Sequence, residues 1–435
     1  MAEAPEIRVI VKDFRAVASA DILINGITVV AGENGSGKSS ISKLLYYLYK
    51  TVADYDAVIK RSLRGSLNKF FTFIEIINQD LRGVAPQQVV DFVRSQLKEL
   101  NEEMDKEDFE LNPVKFMALL EHVQAALYEN INQQNIEPRK EQRIKRILRD
   151  ILDTREEADE PLADSFKKLK QLISRNFADA VRMIGLRPTF VFESELQKLF
   201  TVNDLPKVFQ VEEYGSPIVS LDSDTLAIPY NIKNAIYIDS PMMFHAGMSN
   251  NGYWEDLYEL LGKKGDNVYR ITEIISKEII QGDIEVEEVY FTKDFKFKRN
   301  DGKVFNLMDV ATGIKSFSII LQLLKNGSIT DKTLLIIDEP ESNLHPQWII
   351  EYARIIVLLN KELGVKFFLA THNPDMVSAI RYISEKQGTL DKVNFYLAEK
   401  AEEKFKYNYT YLNKEIDPIF ASFNIALDRI NQYGI

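Results

Sequence analysis

Eight residues near the N-terminus, Gly32-Glu33-Asn34-Gly35-Ser36-Gly37-Lys38-Ser39, have the types and spacing needed to hold a phosphate. Glycines let successive backbone N–H groups turn into one concavity, Lys38 reaches the outer phosphates of a nucleotide, and the Ser39 hydroxyl suits Mg2+. An apolar run at 22–30 (ILINGITVV) reads as a strand leading into the loop, and Ile41, Leu44, Leu45 and Leu48 recur at helical spacing after it. That order aims a helix N-terminus, with Ser40 in its first turn, at the same anion.

Two further stretches carry side chains that suit phosphoryl chemistry. In "TLLIIDEPESNLHP" (333–346), Asp338 ends an apolar strand, which places its carboxylate at a sheet edge where it would hold Mg2+. Glu339 follows immediately and is suited to polarise an attacking water. In "FFLATHNPDM" (367–376), His372 ends another apolar strand. The chain has four histidines, His122, His245, His345 and His372, and the placement of His372 favours a role near the terminal phosphate. His345 reads instead as a turn into Pro346 at a helix start. Alone, two acids or one histidine at a strand end would be ordinary; beside a phosphate loop they have a common use.

The elements that must position these residues follow from periodicity. Residues 7–11, 189–193 (TFVFE), 207–220 with a turn at "EEYGSPI", and 235–239 read as strands, and a helical stretch covers about 255–280. A hairpin follows in 288–307 with Asn300-Asp301-Gly302 at its tip. Helices at 312–325, 347–363 and 374–385 then alternate with strands at 333–337, 366–370 and 393–397. The continuous apolar runs "LLII" and "FFLA" predict strands buried on both faces, hence a mostly parallel sheet. From about residue 55 to 185 the chain is rich in Lys, Glu, Gln and Leu and nearly free of glycine, which predicts an all-helical insertion. The expected organisation is α/β: 1–50 and 187–435 form one split domain, with an antiparallel β lobe, and 51–186 form the insertion.

Composition bounds the rest. At 435 residues, 45% hydrophobic and 27% charged, the chain is a globular protein long enough for two lobes. It has no cysteine, which excludes disulfides, thiolate metal sites and a cysteine nucleophile, and fits a cytoplasmic location. No apolar run is long enough for a membrane span, and the acidic start is not a signal peptide. A net charge of −11 argues against coating nucleic acid with the whole surface, while leaving room for a local basic patch. Within the insertion, Arg139, Lys140, Arg143, Lys145, Arg146 and Arg149 are such a patch, with 139, 143 and 146 on one helical face. It would serve nucleic-acid phosphates, an acidic partner, or simply solvation of an amphipathic helix.

Together with "DVATGIKSFSIILQLL" (309–324), the three motifs resemble the ABC-type ATPases. The resemblance is to the branch holding RecF, Rad50, structural-maintenance-of-chromosomes heads and overcoming-lysogenization-defect proteins. It implies ATP and Mg2+ as ligands, with Ser39 and Asp338 at the metal, Glu339 as catalytic glutamate, His372 as switch histidine and Lys38 on the phosphates. It further implies that Ser342 and Asn343 lie in a dimer-contacting D-loop. Thr312, Gly313 and Lys315 fall in the signature offered to a partner chain's nucleotide, so that two chains would sandwich two ATP molecules. Phe14-Arg15 matches an aromatic–arginine pair near nucleotide or DNA in related heads; the plain alternative is a core aromatic beside a solvated Arg15. The sequence departs from the family at Ile314 and Lys315, which replace a glycine and a glutamine, and at His345, where many members have aspartate. The Q-loop would be sought in "DSPMM" (239–243).

Compact heads with helical inserts and this motif layout are similar to ATPase components of the Septu, PARIS and retron-linked antiphage systems. That implies a sensor or scaffold, a homodimer or higher homo-oligomer, controlling a separate nuclease or toxin. A RecF-like DNA-repair or chromosome-associated ATPase, with DNA contact through the insertion, is the alternative. A transporter subunit is disfavoured by the degenerate signature and the large insertion, and a phosphate-loop kinase or GTPase leaves "DEPE" and "THNP" without a role.

Overall fold

The computed structural model describes residues 6–106, 108–153, 161–200, 204–239, 252–289, 292–421 and 432–433. The chain divides into two compact units, residues 1–53 with 188–435, and residues 54–187.

The strands of the larger unit are β1 (Ile7–Phe14), β2 (Val17–Leu23), β3 (Ile27–Gly32), β4 (Val208–Glu213), β5 (Ser216–Ser220), β6 (Asn234–Ile238), β7 (Gly282–Val289), β8 (Thr292–Arg299), β9 (Val304–Asn306), β10 (Thr333–Asp338), β11 (Lys366–Thr371), β12 (Val393–Lys400) and β13 (Tyr407–Asn413). Ten of them form one sheet in the order β5-β4-β1-β2-β13-β12-β3-β11-β10-β6. From β12 to β6 every neighbour is parallel; from β5 to β2 every neighbour is antiparallel. β7, β8 and β9 make a separate antiparallel sheet, with Gly302 at φ 85 in the β8–β9 turn.

Among the described residues the helices are α1 (Lys38–Ala53), then α2 (Tyr55–Leu81), α3 (Gln87–Met104), α4 (Val114–Asn132), α5 (Pro138–Leu152) and α6 (Leu162–Leu186) of the smaller unit, followed by α7 (Thr189–Gln197), α8 (Gly252–Leu261), α9 (Arg270–Glu273), α10 (Thr312–Lys325), α11 (Pro346–Leu363) and α12 (Pro374–Gln387). Strand alternation sorts the parallel strands into two layers. Val29, Ile337, Phe367 and Leu369 face a core completed by Phe317 of α10, Ile356 of α11 and Ile380 of α12. The opposite side chains, Ile336, Tyr237 and Asp338 among them, face α1, where Tyr46 meets the Tyr237 ring at 5.8 Å. Asp338 therefore reaches the phosphate-loop side because it is an even step from Ile336 in a strand otherwise apolar.

Three expectations from the sequence are corrected. The run 22–30 is not one strand: β2 ends at Leu23, the chain turns at Asn25-Gly26, and β3 enters the sheet three places away. Gly26 is needed at that crossing, since a Cβ there would stand 2.6 Å from the Lys392 carbonyl oxygen. "TFVFE" is the start of helix α7, because the buried pair Phe192 and Leu196 is spaced for a helix and Phe192 packs on Phe209. The stretch 255–280 is α8, an irregular segment, and α9 running into a π-turn at Ile274–Ile279.

The smaller unit has its own aromatic core. Phe116 lies 6.0 Å from Phe70 and 5.1 Å from Phe177, and Phe73 packs on Phe166. On α5, Ile144 and Leu148 are buried, while Arg143 pairs with the buried Asp80 at 2.5 Å and Lys140 lies 3.9 Å from it. No helix among the described residues is long and apolar enough to cross a membrane.

Candidate nucleotide site

The loop Glu33–Gly37 leaves the sheet at the C-terminal end of β3 and delivers Lys38 as the first residue of α1. Gly35 and Gly37 have φ of 81 and 93, a conformation that side chains with a Cβ disfavour. A Cβ on Gly37 would also stand 2.8 Å from Val17 Cγ2, so the β1–β2 turn backs directly onto the loop. The Tyr409 hydroxyl donates to the Ser36 carbonyl at 3.0 Å, and Lys400 pairs with Glu33 at 3.1 Å, so the β12–β13 hairpin braces the loop from its other side. Lys38 is buried, and its ammonium donates to the carbonyls of Gly32 at 2.8 Å and Glu33 at 2.9 Å. Burial pulls this lysine below its ordinary pKa, against the opposing pull of Asp338, Glu339 and Glu341. Asn34, Gly35 and Ser39 are exposed and Ser40 is half-buried.

Asp338 is buried, and one of its carboxylate oxygens accepts from the Tyr237 hydroxyl at 3.1 Å. Burial pushes its pKa up to about 6, helped by Asp239 and Glu339, while hydrogen bonds from Ser39 and Tyr237 resist the shift. Its other oxygen, Oδ1, and the Ser36 hydroxyl are both buried with no protein partner. A buried carboxylate so placed calls for a cation. The Asp338 carboxylate with its unpartnered Oδ1, the Ser39 hydroxyl against the same carboxylate, the Lys38 ammonium and the glycine cradle therefore fit Mg2+ with a nucleoside triphosphate.

Glu339 stands at φ 53, unusual for a residue with a long side chain. Its N–H donates to the Ala370 carbonyl at 2.8 Å, and Ser342 Oγ donates to its carboxylate at 2.9 Å. His372 Nδ1 lies 3.5 Å from Glu339 Oε1 and 3.4 Å from Glu341 Oε1. The ends of β10 and β11 thus bring Glu339 and His372 together, and Lys38 and Asp338 belong to the same charged cluster. Asn343, the other residue expected in the dimer-contacting turn, is exposed at φ 59. His345 caps α11, its ring nitrogen accepting from Gln347 N at 3.4 Å.

Of the remaining residues singled out in the sequence, those of α10 contact other elements, while Arg15 and Asp239 border the loop and Asp338. Gly313 is buried under Trp348: a Cβ there would stand 2.1 Å from the indole ring, so packing within the chain already requires glycine. Thr312 and Lys315 are half-buried at the start of α10, whose neighbours include α8, α9 and β7. Phe14 is a core residue, edge-on to Phe200 at 5.3 Å. Arg15 sits over the same ring and 3.7 Å from Asp204, in the turn that backs the loop. Of "DSPMM", only Asp239 falls within the described residues, where it accepts from Tyr253 at 3.2 Å. Sequence reasoning missed Tyr237, Tyr409 and Glu341. Tyr237 alone carried a signal, a polar hydroxyl on a buried strand parallel to β10.

The larger unit is an α/β fold with a phosphate loop: one sheet with a parallel half carrying the loop and an antiparallel half, and a small second sheet; the helical unit follows the loop helix in sequence. Residues 186–378 match the family described as "AAA domain, putative AbiEii toxin, Type IV TA system", a stretch shorter than half the chain that starts beyond the phosphate loop. No curated protein matches the chain. Among solved structures it is similar to an SMC head bound to the C-terminal winged-helix domain of ScpA, at 11% identity and a TM-score of 0.38, covering 94% of this chain and 98% of that one. The SMC head domain from Thermotoga maritima gives 11% identity and a TM-score of 0.35, covering 93% and 98% of the two chains. The protein cbiO1 from Clostridium perfringens, part of the ABC transporter complex cbiONQ, gives 10% and 0.35, covering 99% and 96%. These likenesses are distant, and the α/β fold is read from the chain's own topology.

Proposed function

We propose that the chain is a Mg2+-dependent ABC-type ATPase that serves as a sensor or scaffold switch in antiphage defence, controlling a separate nuclease or toxin. The observation that carries the ATPase reading is the convergence of Lys38, Ser39, Asp338, Glu339 and His372 at the ends of β3, β10 and β11. Mg2+ and ATP supply the phosphoanhydride and the charge that neutralises it. The protein's part is positional and electrostatic. Lys38 and the loop N–H groups bind phosphate, Ser39 and Asp338 hold the metal, Glu339 polarises a water, and His372 donates toward the transferred group. Because Gly313 and the α10 N-terminus belong to another neighbourhood, a second copy would complete the site, and opening and closing of that dimer would be the output.

The toxin–antitoxin description attached to the family matched by 186–378 supports the defence reading. A DNA-repair role is the second reading. It is favoured by the exposed Arg139 and Arg146 on α5 and weakened by the commitment of Lys140 and Arg143 to Asp80. The test is native mass of the tagged chain expressed with its gene neighbours, with and without ATP, comparing wild type and Glu339→Gln. The expected outcome is ATP hydrolysis lost by at least 100-fold in Glu339→Gln, an ATP-dependent doubling of its mass, and a co-purifying effector. A chain that dimerises alone and then binds DNA would favour the repair class; no ATP-dependent association would sink the sandwich.

A further inference from the structure

Glu341, two residues beyond the expected catalytic glutamate, is a buried carboxylate that the chemistry above does not use. It is 5% exposed, and one of its oxygens does three things. Oε1 accepts from the Thr371 hydroxyl at 2.8 Å and from the backbone N–H of His372 at 3.0 Å, and it lies 3.4 Å from His372 Nδ1. Oε2 is buried without a protein partner. The same imidazole nitrogen lies 3.5 Å from Glu339 Oε1. A carboxylate removed from water costs several kcal/mol unless its surroundings repay it. Here the repayment comes from the two donors at the end of β11 and from the Lys38 ammonium, on which Glu341 exerts a favourable pull. An uncharged side chain could satisfy the two protein donors, so the two hydrogen bonds alone do not call for a carboxylate.

We propose that Glu341 is the positioning residue of the histidine: it ties the turn after β10 to the end of β11 and, through its charge, holds the His372 ring edge against Glu339. The inference rests on the ATPase reading for its kinetic consequence, but not for the contact itself. In this proposal Glu341 acts through His372. An enzyme that must bring an imidazole to one spot on each cycle gains when the ring is oriented before substrate arrives. His372 Nδ1 is buried and makes no hydrogen bond within the chain, so the carboxylate acts on it by charge, favouring the tautomer with its proton on the facing nitrogen.

The decisive variant is Glu341→Gln. It keeps an acceptor for Thr371 and for the His372 N–H and removes only the charge facing the ring. In the full-length protein, kcat for ATP is expected to fall at least tenfold while KM stays within threefold. In a His372→Ala background the same substitution should change kcat by less than twofold, because its route is already cut. An equal loss in both backgrounds, or a loss confined to KM, overturns the inference. A second measurement is independent of catalysis. With only four histidines in the chain, the imidazole 15N and 1H resonances of His372 are assignable with His372→Asn, in protein without nucleotide. They should move in Glu341→Gln while those of His122 and His345 stay fixed; an unmoved His372 resonance also overturns the inference. If wild type proves not to hydrolyse ATP, the ATPase reading falls, and the resonances still decide whether Glu341 orients the ring.

Discussion

At the scale of single residues, the site holds charges that a folded chain would ordinarily avoid. Asp338 is the clearest, with a pKa near 6 against an ordinary 3.8. Between those values the folded state binds a proton that the unfolded state has released, so this residue's contribution to stability falls as pH rises through the window. The shift corresponds to roughly 3 kcal/mol. Asp338→Asn is therefore expected to stabilise the nucleotide-free protein by about 2–3 kcal/mol at pH 8, with the advantage shrinking toward zero by pH 4. Urea unfolding of both proteins across that range checks it. Mg2+ and ATP should reverse the order at pH 8, since only wild type gains the cation's attraction. Glu339 is under a different tension: a left-handed backbone at a long side chain costs about 1–2 kcal/mol. Its N–H bond to Ala370 and the Ser342 hydroxyl hold it there.

At the scale of elements, what was legible in the sequence was what periodicity and punctuation encode. The glycine loop, the apolar strands leading to Asp338 and His372, and the helices flanking them were readable because those strands are buried on both faces and carry uninterrupted apolar runs. "TFVFE" was misread because aromatic and β-branched composition spoke for a strand, while the observed helix buries Phe192 and Leu196 at helical spacing, with Phe192 packing on Phe209 outside the helix. Asn25-Gly26 was passed over because the apolar residues on either side continue without a change of character. Glu341 could not be found at all, since nothing local reveals that its carboxylate meets the end of a strand thirty residues on. Gly313 shows the same limit from the other side. A motif explains the glycine by a partner's nucleotide, whereas the fold explains it by Trp348. Gly313→Ala is expected to cost about 1–3 kcal/mol by overpacking, and Trp348→Leu in the same chain to recover most of it. If Gly313→Ala leaves the midpoint of urea unfolding unchanged, the packing account is wrong.

At the scale of the whole molecule, the division into two units predicts separable stability. The aromatic core around Phe116 lies within residues 54–187, and the loop, Asp338 and His372 lie within the other unit. Phe116→Ala is expected to destabilise the helical unit by about 3–5 kcal/mol. ATP and Mg2+ should then raise the unfolding temperature of the larger unit alone. Calorimetry with and without nucleotide separates the two transitions. A single transition shifted equally by ligand and by the substitution would show that the units unfold together.

The placement of β3 has a consequence for how the chain is made. This strand carries the phosphate loop, yet its two neighbours in the sheet are β11 and β12, encoded more than 330 residues later. At a synthesis rate of about 5–20 residues per second, the first fifty residues leave the ribosome roughly 20–60 s before their pairing partners exist. The helical unit, which has its own aromatic core, is synthesised during that wait. Its residues, 54–187, account for about two fifths of that wait, during which an apolar β-strand stays unmatched. The consequence of this arrangement falls on synthesis rather than on chemistry: the strand that carries the phosphate loop is the last of the sheet's early strands to find a partner.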